Sequence, residues 1–98
     1  MIRRVFYQCK LWNGISFSEL QKIQLRNASK NIGGYLAVNH RTMSAIQVLE
    51  GERHDIEILM QRIERDGRVA QTDYIEIKDV DTRSFGNCNF KIFTDQTH

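Results

Sequence analysis

Proline is absent from this chain of 98 residues, cysteine occurs only twice, and no apolar run is long. Without proline there is no stiff proline-rich linker, so glycine and Asn- or Asp-containing turns must mark the boundaries between elements. Cys9 and Cys88 stand far apart with no metal-ligand spacing, which excludes a cysteine-stapled scaffold and a zinc-ribbon pattern. A helical bilayer crossing needs about 20 consecutive apolar residues, so no membrane role is expected. The opening Met1-Ile2-Arg3-Arg4-Val5 lacks the apolar core of a signal peptide, and the chain is therefore expected to be cytoplasmic with reduced thiols. Neither sign of charge dominates. Lys and Arg total 14 against 12 for Asp and Glu, a net +2 that is too balanced to make nucleic acid the expected partner. His40, His54 and His98 are scattered without metal spacing, and no Ser/His/Asp order, phosphate loop or carboxylate pair stands out, so an enzyme is not expected.

What is present reads as one globular domain over residues 1–98. A hydrophobic content of 41% with 27% charged residues is enough for one core, and the length is too short for a second lobe. Val5, Tyr7 and Cys9 alternate with Phe6 and Gln8, which predicts a first strand. Asn13-Gly14 marks a turn. Ser16 and Glu19 have capping-box spacing, so a helix is predicted to start there with the two side chains satisfying each other's amides. On that helix Leu20, Ile23 and Asn27 share a face, and Asn31 would join them if the helix continued. Gly33-Gly34 ends the pattern, and Tyr35 to Val38 reads as a second strand, returning through Asn39-His40-Arg41-Thr42 to a third at Ala45 to Leu49. Ile56, Leu59, Met60 and Ile63 form one stripe of a second helix, with Asp55 in its first turn and Gly67 at C′. Tyr74 to Ile77 and Asn89 to Phe93 complete the set as strands. The order β-α-β-β-α-β-β predicts an α+β, ferredoxin-like sandwich: a mixed sheet with two helices on one face.

Two polar residues fall on faces that must be buried: Asn27 on the first helix and Gln47 on the third strand. An unpaired buried amide costs about 1–3 kcal/mol, so each requires a partner. Arg62 and Asp66, four apart on the second helix, have the spacing of an exposed ion pair.

The same residues carry a resemblance. The chain resembles the BLUF family of flavin-using blue-light sensors from about Val5 to Phe93. Val5-Phe6-Tyr7-Gln8-Cys9 is similar to the family's first strand with its tyrosine, and Asn27-Ala28-Ser29-Lys30-Asn31-Ile32-Gly33-Gly34 to its asparagine before the second strand. Ala45 to Glu52, with Gln47-Val48-Leu49-Glu50-Gly51-Glu52 at its heart, is similar to the third strand. Arg62-Ile63-Glu64-Arg65-Asp66-Gly67-Arg68 resembles the end of the second helix, and Arg83-Ser84-Phe85 the approach to the last strand. The resemblance implies FAD, with FMN possible, bound non-covalently between the helices and the sheet. It implies that Tyr7 and Gln47 are the photochemical pair and that Asn27 or Asn31 holds the ring. Arg62 and Ile63 would contact the ring, with Asp66 and Arg68 nearer the ribityl and phosphate end. It further implies a downstream signalling partner reached by a Tyr-Gln-flavin hydrogen-bond switch.

The chain departs from the family pattern at several positions. Cys88-Asn89-Phe90 stands where the family has a Trp-x-Met pair, Val69 where it has histidine, Cys9 for serine, and Ala45 for an aromatic residue. Without helices after Phe93 to cover the sheet's second face, a second copy of the chain is expected there, making a homo-oligomer. The alternative reading is a BLUF-like interaction module that has lost flavin or photochemistry. A sheet that binds single-stranded RNA through Phe6, Phe90 and the tyrosines lacks the RNP aromatic pattern.

Overall fold

The computed structural model describes residues 1–12, 15–85 and 88–93. The elements follow as β1 (Ile2–Leu11), α1 (Phe17–Ser29), β2 (Gly33–Asn39), β3 (Ser44–Glu52), α2 (Arg53–Arg65), β4 (Val69–Val80) and β5 (Cys88–Phe93), which is the predicted order. The Asn13-Gly14 turn and the burial of Cys88 and Phe90 lie outside the described residues.

The strands form a mixed sheet in the order β4-β1-β3-β2-β5, with β3 at its centre. β3 runs antiparallel to β1 and β2, β1 antiparallel to β4, and β5 parallel to β2. Along β1 the alternation predicted from sequence holds: Val5, Tyr7, Cys9 and Leu11 are buried while Gln8 and Lys10 are exposed. Those four residues share one core with Leu20 of α1 and Ile56 and Met60 of α2, so both helices cover the same face. β4 is longer than the alternation indicates. Two register shifts against β1, between Phe6 and Tyr7 and between Gln8 and Lys10, interrupt its period.

Local expectations fare unevenly. Cys9 and Cys88, expected as reduced thiols, stand on strands with β3 and β2 between them. At about 4.8 Å per strand spacing that separation is roughly 14 Å, beyond disulfide reach. The capping box is half formed. The Glu19 amide donates to Ser16 Oγ at 3.1 Å, but the Glu19 carboxylate turns to Arg68 at 3.7 Å instead of reaching back to Ser16. Gly67 follows the C-cap residue Asp66 as expected, yet Gly34 is the glycine with a left-handed backbone among the described residues. The Asn39–Thr42 hairpin forms as predicted, with Asn39 Oδ1 accepting from the amides of Arg41 and Thr42 at 3.0 and 3.2 Å.

The sheet's second face is partly strapped by the segment after β4. Glu50 is fully buried. Its carboxylate accepts from Arg4 Nε at 2.7 Å and from the backbone amides of Ser84 and Phe85, both at 2.8 Å. Arg4 also donates to Ser84 Oγ at 2.6 Å. A buried charge is tolerated only when paired and hydrogen-bonded, and the three bonds to Glu50 meet that requirement.

Gly34 is where β2 approaches β3 most closely. Its φ is +152°, and a Cβ there would stand 1.9 Å from the Val48 carbonyl oxygen. Gly34→Ala is therefore expected to lower stability by about 3 kcal/mol or more. Gly67→Ala, with nothing within 4 Å of its Cβ, should be neutral or slightly stabilising. Urea denaturation midpoints of the two variants check the contrast.

Candidate functional site

Tyr7 and Gln47 are brought face to face by register. β1 and β3 pair Tyr7 with Gln47, and on the other side β2 pairs Leu36 with Gln47. Tyr7 is 2% and Gln47 6% exposed. The Tyr7 hydroxyl donates to Gln47 Oε1, which leaves the Gln47 amide nitrogen with no acceptor among the described residues. Burial pushes the Tyr7 phenol far above the ordinary tyrosine range, reinforced by neighbouring Cys9 and Tyr74. The phenol is thus a hydrogen-bond donor at neutral pH.

A cleft opens over this pair, between α1 and α2. Its lining includes Tyr7, Gln47, Asn27, Arg62, Ile63, Asp66 and Arg68, together with the apolar Leu20, Ile23 and Leu59. Asn27 is 4% exposed. Its carbonyl closes the helix end by accepting from the amides of Lys30 and Ile32, both at 3.0 Å, while its side-chain amide makes no hydrogen bond among the described residues. Two amide groups therefore border one cleft with unfilled hydrogen-bonding capacity.

Asn31 is the predicted site residue that the structure leaves out. α1 ends at Ser29, and Asn31 is exposed in the left-handed conformation at φ 59°. It lines a separate groove with Lys30, Ile32 and Asp55, which Arg62 also borders. The reason is helix length: an asparagine four residues past Asn27 shares its face only if the helix continues, and here the backbone has already turned.

At the end of α2, Asp66 pairs with Arg68 and not with Arg62. Arg68 donates through Nε and its terminal nitrogen to Asp66 at 3.0 and 2.8 Å, and its backbone amide adds a third bond at 2.9 Å. A further ion pair to Glu19 links this corner to the first turn of α1. One Glu19 carboxylate oxygen is buried there without a hydrogen bond. Sequence reasoning missed this link because the capping-box spacing assigned Glu19 a local role. It also missed Cys9 as a cleft residue, whose thiol burial pushes up to about 11, though its place two residues after Tyr7 on the same face carried the signal. Among the described residues no group of His, Cys, Asp or Glu could hold a metal ion, and no helix is long and apolar enough to cross a membrane.

The hydrogen bonds from Arg68 hold the Asp66 carboxyl below the usual carboxylate range. A depressed folded-state value means a contribution to stability that is present above the unfolded value near 3.9 and is lost as pH falls through the lower folded value. Asp66→Asn is therefore expected to flatten the fall in stability below about pH 4. Thermal melts of both proteins across that range check it.

With this geometry in place, comparison with known proteins becomes specific. The profile of the family described as sensors of blue light using FAD (BLUF) matches residues 2–91. A bacterial light-regulated adenylyl cyclase is similar at 27% identity and a TM-score of 0.79, over 96% of this chain and 28% of that one. A Klebsiella pneumoniae protein described with FMN and cyclic diGMP is similar at 24% identity and a TM-score of 0.76, over 96% of this chain and 26% of its own. BlsA in a photo-activated state is similar at 23% identity and a TM-score of 0.76, over 99% of this chain and 72% of that one. The last two likenesses show the fold. The chain thus spans little more than a quarter of the first two proteins. No curated protein matches it. The match over nearly the whole length, on a fold shared with these structures, places the chain in the BLUF family of blue-light sensors.

Proposed function

We propose that the chain binds a flavin non-covalently in the cleft between α1 and α2 and acts as a blue-light photoreceptor domain. The observation that carries this reading is the buried hydrogen bond from Tyr7 to Gln47, set in the wall of a cleft where the Asn27 side-chain amide has no partner among the described residues. Donors and acceptors on one edge of a planar heterocycle complement two such amides, and Leu20, Ile23 and Ile63 supply apolar walls. Asn27 would hold the carbonyl and imide edge, Arg62 the pyrimidine side and Ile63 the ring face. Asp66 and Arg68 would stand nearer the ribityl and phosphate end. FAD is the proposed cofactor, with FMN an acceptable substitute because the contacts assigned here are to the part both share.

When bound, the flavin supplies light absorption and a one-electron oxidant strong enough to draw an electron from a phenol. The protein's part follows from Gln47. Its carbonyl oxygen accepts from Tyr7, so its amide nitrogen is free to donate toward the cleft. A half-turn of the amide, or its tautomerisation, exchanges these roles. Loss of an electron from Tyr7 makes its phenolic proton far more acidic; that proton would pass to Gln47 Oε1 while the Gln47 amide nitrogen gives one up toward the cleft, which ends the bond that fixes the Gln47 orientation. On return of the electron and the proton, Tyr7 finds a donor where it had an acceptor. Three partners are rewired without any of them leaving its place.

The signal is proposed to pass to a downstream protein or domain of the effector type seen in the light-regulated cyclase, with no enzymatic step in the chain itself and a cytoplasmic setting. Exposed Ile46, in the middle of the sheet's second face, supports a second copy of the chain as cover. Light scattering after size exclusion should give a dimer mass, and a strict monomer at micromolar concentration would rule this out.

The purified protein, supplied with FAD, is expected to be yellow and to show a small, dark-reversible red shift of its flavin absorption under blue light. Gln47→Leu should keep the flavin and lose the shift. A colourless protein after reconstitution would favour the alternative of an interaction module without flavin. An unchanged photocycle in Gln47→Leu would remove the switch assignment.

A further inference from the structure

Tyr74 stands outside every role assigned so far, yet it is the neighbour of Tyr7 on the side away from Gln47. β4 places it opposite Tyr7 in the register with β1, immediately beside the first register shift. The two rings lie 6.2 Å apart between centroids at an interplanar angle of 53°, within the range of packed, tilted aromatic pairs. The Tyr74 hydroxyl donates to the carboxylate of Glu64 on α2. Gln47, Tyr7, Tyr74 and Glu64 therefore form an unbroken line from the central strand to the exposed Glu64.

A phenol is a poor electron donor unless its proton leaves with the electron. Tyr7 and Tyr74 differ in where that proton can go. Tyr7 faces an amide, a weak base, whereas Tyr74 faces a carboxylate already in hydrogen-bond contact. Partial burial and the carboxylate push the Tyr74 phenol up to about 12, so it stands protonated at neutral pH with its base in place.

We propose that Tyr74 with Glu64 is a proton-coupled electron donor to Tyr7, an inference that rests on the photochemical role proposed for Tyr7. In the step, Tyr7 has lost one electron to the photo-excited flavin and still holds its phenolic proton. One electron passes from Tyr74 to Tyr7, the Tyr74 O–H bond breaks, and that proton goes to Glu64. The products are the neutral Tyr7 phenol, a neutral Tyr74 phenoxyl radical and the Glu64 carboxylic acid. This route competes with proton transfer through Gln47. The pair therefore sets how much of the oxidation at Tyr7 is converted into the Gln47 switch and how much drains toward the surface.

Two arms test the proposal. In the first, flavin-free full-length chain is flash-oxidised with a soluble ruthenium polypyridyl photo-oxidant and persulfate. Tyrosyl radicals are followed by electron paramagnetic resonance with ring-deuterated tyrosine, which separates them from a Trp12 signal. Tyr74→Phe is expected to abolish the dominant tyrosyl signal even though Tyr7 and Tyr35 remain. Glu64→Gln, which keeps a hydrogen-bond acceptor but removes the base, should slow its formation about tenfold, the scale of one charge-assisted hydrogen bond. A tyrosyl signal unchanged in both variants would overturn the proposal. In the second arm, FAD-loaded protein is illuminated, and both variants are expected to give a higher yield of the red-shifted state than wild type. An equal or lower yield in Glu64→Gln, whose ring packing is intact, would also overturn it. Failure of wild type to take up FAD would count against the flavin reading alone, and the first arm would still decide the donor role of Tyr74.

Discussion

The buried hydrogen bond from Tyr7 to Gln47 sets the terms for the rest of this molecule. It joins neighbouring strands at the centre of the sheet, and it consumes the only donor on Tyr7 and one side of the Gln47 amide. The other side of that amide must be satisfied in the cleft or remain exposed to water, because an orphaned buried amide costs about 1–3 kcal/mol. α1 and α2 answer that constraint by standing apart over Tyr7 and Gln47, with Asn27 presenting to the same cleft a second amide that has no partner among the described residues. A core built for stability alone would have closed this gap with leucine. Retaining three polar groups here makes sense when a planar polar ligand completes the set.

Around that centre the supporting contacts are local and strong. Gly34 lets β2 lie directly against the Val48 carbonyl, which fixes the register that seats Gln47 between Tyr7 and Leu36. Glu50, three residues along β3 and on the opposite face from Gln47, gathers Arg4 and the amides of Ser84 and Phe85. The strand that carries the proposed switch is thus pinned through the sheet to the segment that leads into β5. A change in strain on β3 has a short physical route to that segment, one that does not depend on the side chains of β5.

How much of this was legible in the sequence follows from the range of the interactions involved. The period-2 alternation of Val5, Tyr7 and Cys9, and of Ala45, Gln47 and Leu49, revealed two strands and their buried faces, because a half-buried strand writes its pattern locally. The stripes on both helices were legible for the same reason, and with them the burial of Asn27. Strand order and register were not, because they depend on pairings between residues as much as 78 positions apart, as between Ile2 and Val80. The two register shifts of β4 broke its period, so Tyr74 read as an ordinary strand residue when its position beside Tyr7 is a tertiary fact. Asn31 misled because one turn of helix decides which way a side chain points, and helix ends are set by backbone conformation that the sequence marked only weakly. Glu19 misled in the opposite sense: a good local motif gave way to a longer-range guanidinium.

Gln47 is proposed to change its hydrogen bonding between Tyr7 and a flavin held in the cleft. Light-minus-dark infrared difference spectroscopy of FAD-loaded protein carrying ¹⁵N-labelled glutamine tests it most directly. The flavin carbonyl stretch is expected to shift in light, and glutamine bands sensitive to the label are expected in the same difference spectrum. A carbonyl shift that persists without any label-sensitive glutamine band would contradict it.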